Sequence, residues 1–278
     1  MRVTIFGASG LLGNALKHEW TEDEVTRLSS KDTDIRDPHQ VTGAVERSRP
    51  EWVILAAAYT DVDGCETHPD LAMQINCRGA MNVAEAASRF GSRLLFLSTD
   101  YVFDGKKSAP YETDDVRAPQ NVYGRSKAEA EVQLTKILPD CCIVRTSWLF
   151  GVGAKCFPDT ILKLAAQRKE LEVVNDQRGC PTYNRDLARA VIQLCRRNAT
   201  GIVHVTNSGE CTWFDFAKQI TQSAGLSTIV RPVSSDRMPR PARRPDYSVL
   251  SSKSLQRYDI RMPSWEDALK RYLDERKS

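Results

Sequence analysis

Short apolar runs alternate with amphipathic stretches through the first half of the chain, and this alternation constrains the fold more than any other feature. Five runs predict strands, and four stretches of helical period separate them. The strands are expected at Arg2–Phe6, Glu24–Leu28, Trp52–Ala57, Leu94–Ser98 and Cys142–Thr146, and the helices at Leu11–Trp20, Asp37–Ser48, Pro69–Phe90 and Asn121–Leu138. Such alternation indicates a doubly wound α/β fold, in which helices cover both faces of a parallel sheet. Sheets of this kind bind ligands at the carboxyl ends of their strands.

A glycine-rich turn follows the first predicted strand and opens the first predicted helix. It reads Gly7-Ala-Ser-Gly10-Leu-Leu-Gly13, with the spacing Gly-x-x-Gly-x-x-Gly. Glycines allow a tight turn and let the backbone approach a pyrophosphate, which then lies at the helix N-terminus. The position of the turn favours a Rossmann-like dinucleotide site over an ordinary strand–helix turn. The residues expected to bind the cofactor here are Gly7, Ser9, Gly10, Leu11, Leu12 and Gly13.

The end of the second predicted strand indicates which dinucleotide binds. An acidic residue at this place would favour NAD through the ribose 2′-hydroxyl, but the chain has Ser29, Ser30 and Lys31. Hydroxyls and a cation accommodate a 2′-phosphate better, so we expect NADPH, with NADH as the alternative. Further cofactor contacts are expected from Asp34 and Ile35 at the adenine and from Ala56, Ala57, Ala58 and Tyr59 after the third strand.

Tyr123 and Lys127 lie four residues apart at the start of a predicted helix. This spacing places both side chains on one helix face. An ammonium group beside a phenol favours the phenolate, lowers the pKa of the phenol and assists proton exchange. Thr99 directly follows the fourth predicted strand, so its hydroxyl is expected to point into the same cleft. We therefore expect Thr99, Tyr123 and Lys127 to be catalytic, with Tyr123 and Lys127 also contacting the cofactor.

The second half of the chain has a looser pattern. Helices are expected at Pro158–Arg168, Asn184–Arg197, Thr212–Ala224 and Trp265–Tyr272, and strands at Leu171–Val174 and Ile202–Val205. We expect a dinucleotide-binding domain at residues 1–148. The remainder, 149–278, is expected to be mainly a smaller substrate-binding lobe, with segments near 172–205 and 229–250 returning to the first domain.

Composition disfavours several other classes of protein. The net charge of +3 is too small to favour nucleic acid, and no run of 18 apolar residues predicts a membrane span. The apolar stretch after Met1 is too short for a secretory signal, so we expect a cytoplasmic protein. None of the eight cysteines forms a Cys-x-x-Cys pair, and Cys141 and Cys142 should face opposite sides of a strand. We interpret the cysteines as buried small apolar residues and not as zinc ligands or disulfides.

Six further segments carry a resemblance to a known family: Ala56–Asp63 with Glu66, Ser98–Gly105, Pro119–Lys127, Arg145–Gly151, Gln177–Thr182 and Arg244–Leu250. Together with the glycine turn, they resemble the extended short-chain dehydrogenase/reductases and, within these, the dTDP-4-dehydrorhamnose reductases. The resemblance implies reduction of a dTDP-linked 4-keto-6-deoxyhexose by NADPH or NADH, giving dTDP-L-rhamnose for cell-surface polysaccharide. It also implies that Thr99 orients the carbonyl and Tyr123 gives the proton. Lys127 would hold the nicotinamide ribose and keep the pKa of Tyr123 low.

The residues expected at the substrate are Thr99, Asp100, Tyr101, Val102, Trp148, Thr182 and Arg244. Asp100 is followed by a tyrosine, where the related sugar-nucleotide dehydratases resemble Thr-Asp-Glu; dehydration is therefore disfavoured. Asp100 then contacts the sugar or caps a turn, and Trp148 stacks on the sugar or fills the core. Among the arginines at 231–245, the resemblance favours Arg244 as the diphosphate ligand. Asp61, Asp63 and Glu66 are expected in a short loop, and we assign no metal to them.

Two alternatives stay open at this point. The chain also resembles the non-catalytic beta subunit of methionine adenosyltransferase, a regulatory class that keeps the fold and the nucleotide site. A reductase of another nucleotide-linked 4-keto-6-deoxy sugar would share every motif above. We expect a homodimer, with no nucleic acid or membrane as partner.

Overall fold

A parallel sheet of six strands forms the centre of the molecule in the computed structural model, which describes residues 1–277. The strands are β1 Arg2–Phe6, β2 Glu24–Leu28, β3 Trp52–Leu55, β4 Arg93–Thr99, β5 Cys142–Thr146, β6 Leu149–Phe150, β7 Glu170–Val174, β8 Arg178–Gly179, β9 Thr182–Tyr183, β10 Gly201–His204, β11 Cys211–Thr212 and β12 Ile229–Val233. Six of these pair in parallel in the order β10-β5-β4-β3-β1-β2. This order reverses direction between β1 and β3, as in a doubly wound sheet. The fold class predicted from the alternation is confirmed.

Helices cover both faces of this sheet. They are α1 Leu11–Glu19, α2 Pro38–Ser48, α3 Val62–Thr67, α4 Pro69–Met73, α5 Gly79–Arg89, α6 Val122–Ile137, α7 Phe157–Ala165, α8 Asn184–Arg196, α9 Trp213–Ser223, α10 Lys253–Gln256 and α11 Trp265–Glu275. One apolar core joins the sheet to α1 and α8, and a second joins it to α2, α5 and α6. Ile5 belongs to the first core and its neighbour Phe6 to the second, as the two-residue period of a strand requires.

The cysteines follow the same rule. Cys142 packs in the first core and Cys141 in the second, so the prediction that they face opposite sides is confirmed. All eight cysteines are buried free thiols.

The second half of the chain builds its own core and also contributes to the main sheet. β10 pairs with β5 at the edge of that sheet, and α8 packs against α1. β7 and β12 pair with each other in a separate two-stranded sheet. α7, α9 and α11 gather around Phe150 and Phe216 in a third apolar core. Of the two segments expected to return, the one ending near 205 thus supplies a strand and a helix. In the other, Ile229–Val233 stays in the second sheet, whereas Val249 and Leu250 contact Tyr111 in the first half of the chain.

The helix predicted at Pro69–Phe90 is interrupted by a π-helical turn at Gln74–Arg78. This turn carries Asn76, which is 1% exposed. Its side-chain nitrogen donates to the Tyr59 carbonyl at 3.1 Å and to the Ser126 hydroxyl at 3.0 Å, and its oxygen accepts from the Tyr59 amide at 2.7 Å. Single π turns are often found at functional sites. Here the Asn76 side chain connects the segment after β3, at Tyr59, to α6, at Ser126.

The short loop predicted around Asp61 is wrong, because this segment forms α3. Asp61 caps the helix by accepting a hydrogen bond from the Gly64 amide at 3.0 Å, and Asp63 favours the first turn through the helix dipole. Among residues 1–277, no helix has the length and apolar character needed to cross a membrane. In the same part of the chain, no group of three or more His, Cys, Asp or Glu residues is arranged to hold a metal ion.

Candidate active site

Two connected cavities lie at the carboxyl ends of the central strands. The first encloses about 500 Å³ and is lined from the ends of β1, β3, β4 and β5 and from the start of α6. The second encloses about 460 Å³ and extends toward the end of β2. Both are lined by Gly7, Gly10, Ala56 and Ala58. They therefore form one cleft, which can take a dinucleotide together with a second ligand at one end.

The glycine turn between β1 and α1 leaves no space for side chains at two of its three glycines. Gly7 has a φ of +92°, and a Cβ there would lie 2.4 Å from the Ala57 amide nitrogen. A Cβ on Gly13 would lie 2.3 Å from the Gly7 carbonyl oxygen. Within the described residues, no side chain caps the start of α1. The free helix end above this tight turn fits a pyrophosphate group, and all six residues predicted here line the cleft.

The second cavity gathers most residues predicted for the adenosine end of a cofactor. It is lined by Ser29, Ser30, Asp34, Ile35 and Ala56–Ala58. Lys31 is exposed and does not line it; Arg36 does. The Asp34 carboxylate accepts hydrogen bonds from Arg36 Nε at 2.9 Å and Nη2 at 2.5 Å. The cation at this end of the cleft is therefore Arg36, which the sequence did not single out, and not the predicted Lys31.

Thr99, Tyr123 and Lys127 line the first cavity together. Asn121 caps α6 by accepting a hydrogen bond from the Gly124 amide at 2.7 Å, so the helix begins just before Tyr123. The Tyr123 phenol and the Thr99 hydroxyl lie side by side in this cavity. Lys127 is 2% exposed, and its Nζ lies 3.9 Å from the centre of the Phe96 ring. The three groups predicted as catalytic are thus brought to one place.

The pKa of Tyr123 differs in direction from the sequence prediction. Burial and, next, the neighbouring Asp100 carboxylate raise the pKa of Tyr123 well above its ordinary value, and the nearby Thr99 hydroxyl lowers it less. Burial also lowers the pKa of Lys127 to about 7, against the opposing effect of Glu131. The prediction that Lys127 keeps the pKa of Tyr123 low is therefore corrected, because burial raises this pKa and Lys127 is not among the groups that lower it. A protonated Tyr123 at neutral pH is the form that can give a proton.

Asp100 lies beside this group in a dry environment. It is 2% exposed, and its Oδ1 accepts a hydrogen bond from the Thr99 hydroxyl at 3.0 Å. Its Oδ2 is buried and has no hydrogen-bond partner among residues 1–277, although Asp100 lines the cavity. Burial raises the pKa of Asp100 to about 7, against the lowering effect of Ser248 and Thr99. A buried, unpaired carboxyl oxygen at a cavity wall can bind a ligand hydroxyl.

Aromatic side chains form another wall of the first cavity. Trp148 stacks on Trp213 with ring centres 3.5 Å apart and planes 7° apart, and both line the cavity. The Tyr101 ring meets the Tyr123 ring edge-on at 6.0 Å. Trp148 therefore packs against the apolar core and also lines the cavity. Filling the core and stacking on a sugar, the two alternatives expected for it, are compatible with each other.

Besides Lys31, four residues predicted for the site line neither cavity: Val102, Thr182, Tyr59 and Arg244. Val102 is fully buried in a small apolar core with Phe103 and Tyr111, and Thr182 is fully buried in β9, where it pairs with Leu149. Tyr59 is held through its backbone by Asn76. Arg244 makes a two-pronged ion pair with Asp63, Nη1 to Oδ1 at 2.5 Å and Nη2 to Oδ2 at 2.9 Å.

Several residues that line the first cavity were not predicted. They are Thr60, Val62, Leu97, Ser98, Thr146, Ser147, Leu149, Ala154, Lys155, Leu187 and Trp213. Ser98, Thr146 and Ser147 lie within or beside motifs already noted, so strand-end position could have identified them. Trp213 and Leu187 come from distant helices, and no local pattern indicates that they reach the cleft.

Comparison with known proteins gives matches along the full chain. The model of a family described as RmlD substrate binding domain matches residues 1–278. The spore coat polysaccharide biosynthesis protein SpsK of Bacillus subtilis (strain 168) is 41% identical over 279 residues, covering 100% of this chain and 98% of SpsK. A solved dTDP-4-dehydrorhamnose reductase of Clostridium acetobutylicum has a TM-score of 0.98 and 37% identity, covering 100% of both chains. Another, from Bacillus anthracis and in complex with NADP, has a TM-score of 0.96 and 40% identity, covering 99% of each chain.

Proposed function

The chain belongs to the RmlD substrate binding domain family, and from this membership we propose that it reduces dTDP-4-dehydro-L-rhamnose to dTDP-L-rhamnose with NADPH. The observation that carries the proposal is that Thr99, Tyr123 and Lys127 line one cavity, which continues over the glycine turn. Two solved relatives named dTDP-4-dehydrorhamnose reductase match the chain end to end, and one of them holds NADP.

The cofactor would lie along the joined cavities. The backbone amides at the start of α1 would hold its pyrophosphate, and Ser29, Ser30 and Arg36 would bind the ribose 2′-phosphate. Lys127 would donate to the nicotinamide ribose. When bound, NADPH supplies the hydride that reduces the sugar carbonyl carbon. With NADH the 2′-phosphate contacts would be lost, so NADPH is the preferred reductant.

Tyr123 would supply the proton at the carbonyl oxygen. Burial keeps its phenol protonated at neutral pH, and the oxygen of a carbonyl becomes far more basic than a phenolate as it is reduced. Tyr123 therefore needs no lowered pKa to act as an acid in this direction. Thr99, which lines the same cavity beside Tyr123, would orient the same oxygen.

The sugar and its nucleotide would occupy the rest of the first cavity. Asp100 has a buried, unpaired oxygen at the wall and can accept a hydrogen bond from a sugar hydroxyl. The stacked Trp148 and Trp213 offer a flat apolar surface to the sugar. Tyr101 would contact the substrate beside Tyr123. The dinucleotide site at 1–148 and the substrate-binding lobe at 149–278 meet at this cavity.

The test is to supply freshly epimerised dTDP-4-keto-6-deoxyhexulose to the purified chain and to follow the absorbance of NADPH. Oxidation of NADPH with formation of dTDP-L-rhamnose is the expected result. Oxidation only with another nucleotide-linked 4-keto sugar would identify the chain as a reductase of that sugar, which is one of the alternatives that the sequence leaves open. No oxidation with any such sugar, together with tight binding to a methionine adenosyltransferase catalytic subunit, would contradict the proposal and favour a regulatory subunit.

We also propose that the protein is a homodimer and lies in the cytoplasm. Light scattering of the purified chain measures its assembly state, and cell fractionation measures its location.

A further inference from the structure

Two carboxylates on α3 lie just outside the cavity and bind different parts of the molecule. Asp63 and Glu66 are three residues apart, which places them on neighbouring positions of the helix surface. Neither lines the cavity, although Thr60 and Val62, just before Asp63, do. Their partners lie in two distant segments of the chain, α6 and the stretch 240–246.

Glu66 holds the start of the helix that carries Tyr123. Its Oε1 accepts a hydrogen bond from the Val122 amide at 2.7 Å, and Val122 is the first residue of α6. Amides in the first turn of a helix have no partner within the helix, and a carboxylate is the favoured acceptor there. Asn121 caps the same turn through the Gly124 amide, so the two side chains bind different amides.

Asp63 holds the stretch 240–246. Besides its two-pronged pair with Arg244, it accepts a hydrogen bond from the Ala242 amide at 3.2 Å. The Arg244 pair lowers the pKa of Asp63, so the carboxylate is charged at neutral pH. Arg244 in turn faces Tyr101 at the cavity wall. The same stretch is tied directly to α6, because the Asn121 side chain donates to the Arg243 carbonyl at 2.7 Å.

The first turn of α6 packs closely against the Tyr101 backbone at Gly124. A Cβ on Gly124 would lie 2.1 Å from the Tyr101 carbonyl oxygen, so the helix packs directly on that backbone. Tyr123 lies between Gly124 and the capped Val122. A displacement of this turn would therefore displace the Tyr123 hydroxyl relative to Thr99.

We propose that Glu66 and Asp63 are positioning residues for the reductase reaction. Glu66 fixes the first turn of α6 and thereby the place of the Tyr123 hydroxyl. Asp63 fixes the stretch 240–246 and thereby keeps Arg244 against Tyr101, which lines the cavity that would hold the nucleotide sugar. This inference rests on the proposed reductase function and extends it to two residues that touch neither cofactor nor substrate.

Glu66→Ala tests the first half of the inference. An error of about 1 Å in the position of a reacting group can cost about 100-fold in rate, so kcat should fall between about 10-fold and 100-fold. The affinity for NADPH, measured by titration calorimetry, should change less than about twofold. Glu66→Gln keeps an acceptor oxygen for the Val122 amide and should restore kcat to within about threefold of the wild type.

Asp63→Asn tests the second half. It removes one charge from the two-pronged pair, so the KM for the nucleotide sugar should rise about tenfold or more while kcat changes less. Glu170→Gln is the matched control, because Glu170 makes a similar two-pronged pair with Arg231 on the exposed β7–β12 sheet. The control should keep the wild-type kcat and KM.

The outcomes separate this inference from the function on which it rests. If the wild type does not oxidise NADPH with any nucleotide-linked 4-keto sugar, the proposed function fails. If the wild type is active and Glu66→Ala keeps its kcat, or loses kcat and NADPH affinity equally, the positioning role is overturned. If Glu66→Ala does not fold, Asp63→Asn decides. The positioning role is then overturned if Asp63→Asn has wild-type kinetic constants, or if Asp63→Asn and Glu170→Gln change them equally.

Discussion

Replacing Glu131 by glutamine should cost about 3 to 5 kcal/mol of folding free energy, because it leaves a buried arginine without its counter-ion. Glu131 lies one turn beyond Lys127 on α6, and the side chains of Glu131 and Arg145 are both 0% exposed. The carboxylate accepts hydrogen bonds from Arg145 Nε at 2.9 Å, from Arg145 Nη2 at 2.7 Å and from the Ser98 hydroxyl at 2.5 Å. It therefore joins the ends of β4 and β5 to the catalytic helix.

The expected cost follows from the number of these contacts. A glutamine keeps one acceptor oxygen, so it can satisfy Ser98 or one arm of Arg145 but cannot neutralise the guanidinium. Urea unfolding measures the difference as a shift of the midpoint at constant slope. In Glu131→Leu combined with Arg145→Met, both charges are removed together, so most of the loss should be recovered.

Glu170→Gln again serves as the control, since the side chains of Glu170 and Arg231 are 50% and 55% exposed and their pair is largely solvated. Its urea midpoint should stay near that of the wild type. A Glu131→Gln midpoint that matches the control would refute the reasoning, because it would mean that the buried pair does not contribute to stability.

Two other changes test the cofactor end of the cleft and the buried carboxyl. Arg36→Ala should weaken NADPH binding about tenfold or more and leave NADH binding nearly unchanged, because only NADPH has a 2′-phosphate; calorimetry showing equal losses would contradict this. Burial raises the pKa of Asp100 from 3.8 to about 7, so the stability that it contributes is full below pH 3.8 and is lost as the pH rises through about 7. Asp100→Asn should therefore raise the melting temperature at pH 8 more than at pH 4, and the reverse order would contradict the assignment.

Much of the fold could be predicted because its signals are local. The strands of the main sheet in the first half lie within two residues of their predicted ends, since each is a short apolar run followed by a turn or a helix start. The glycine turn can be predicted because its glycine spacing and its position after β1 are both typical of a dinucleotide site. Tyr123 and Lys127 can be predicted to act together because residues four apart on a helix lie on the same face.

The parts that could not be predicted depend on tertiary contacts. Trp213 reaches the cleft only because α9 packs beside the loop after β5, and nothing near Trp213 in the sequence indicates this. Thr182 lies in a motif typical of the family, yet the structure buries it in β9. The direction of the Tyr123 pKa follows from burial, which a spacing of residues does not reveal. The π-helical turn at Gln74–Arg78 carries Asn76, whose hydrogen bonds to Tyr59 and Ser126 join distant segments that no local pattern brings together.

The central claim is that Tyr123 donates the proton when the chain reduces a dTDP-linked 4-keto sugar. The most direct measurement is the single-turnover rate of NADPH oxidation by Tyr123→Phe, at neutral pH and with saturating substrate. Because the ring is kept and only the hydroxyl is lost, the rate should fall by about 100-fold to 10,000-fold while NADPH affinity stays unchanged. A rate near that of the wild type would contradict the account.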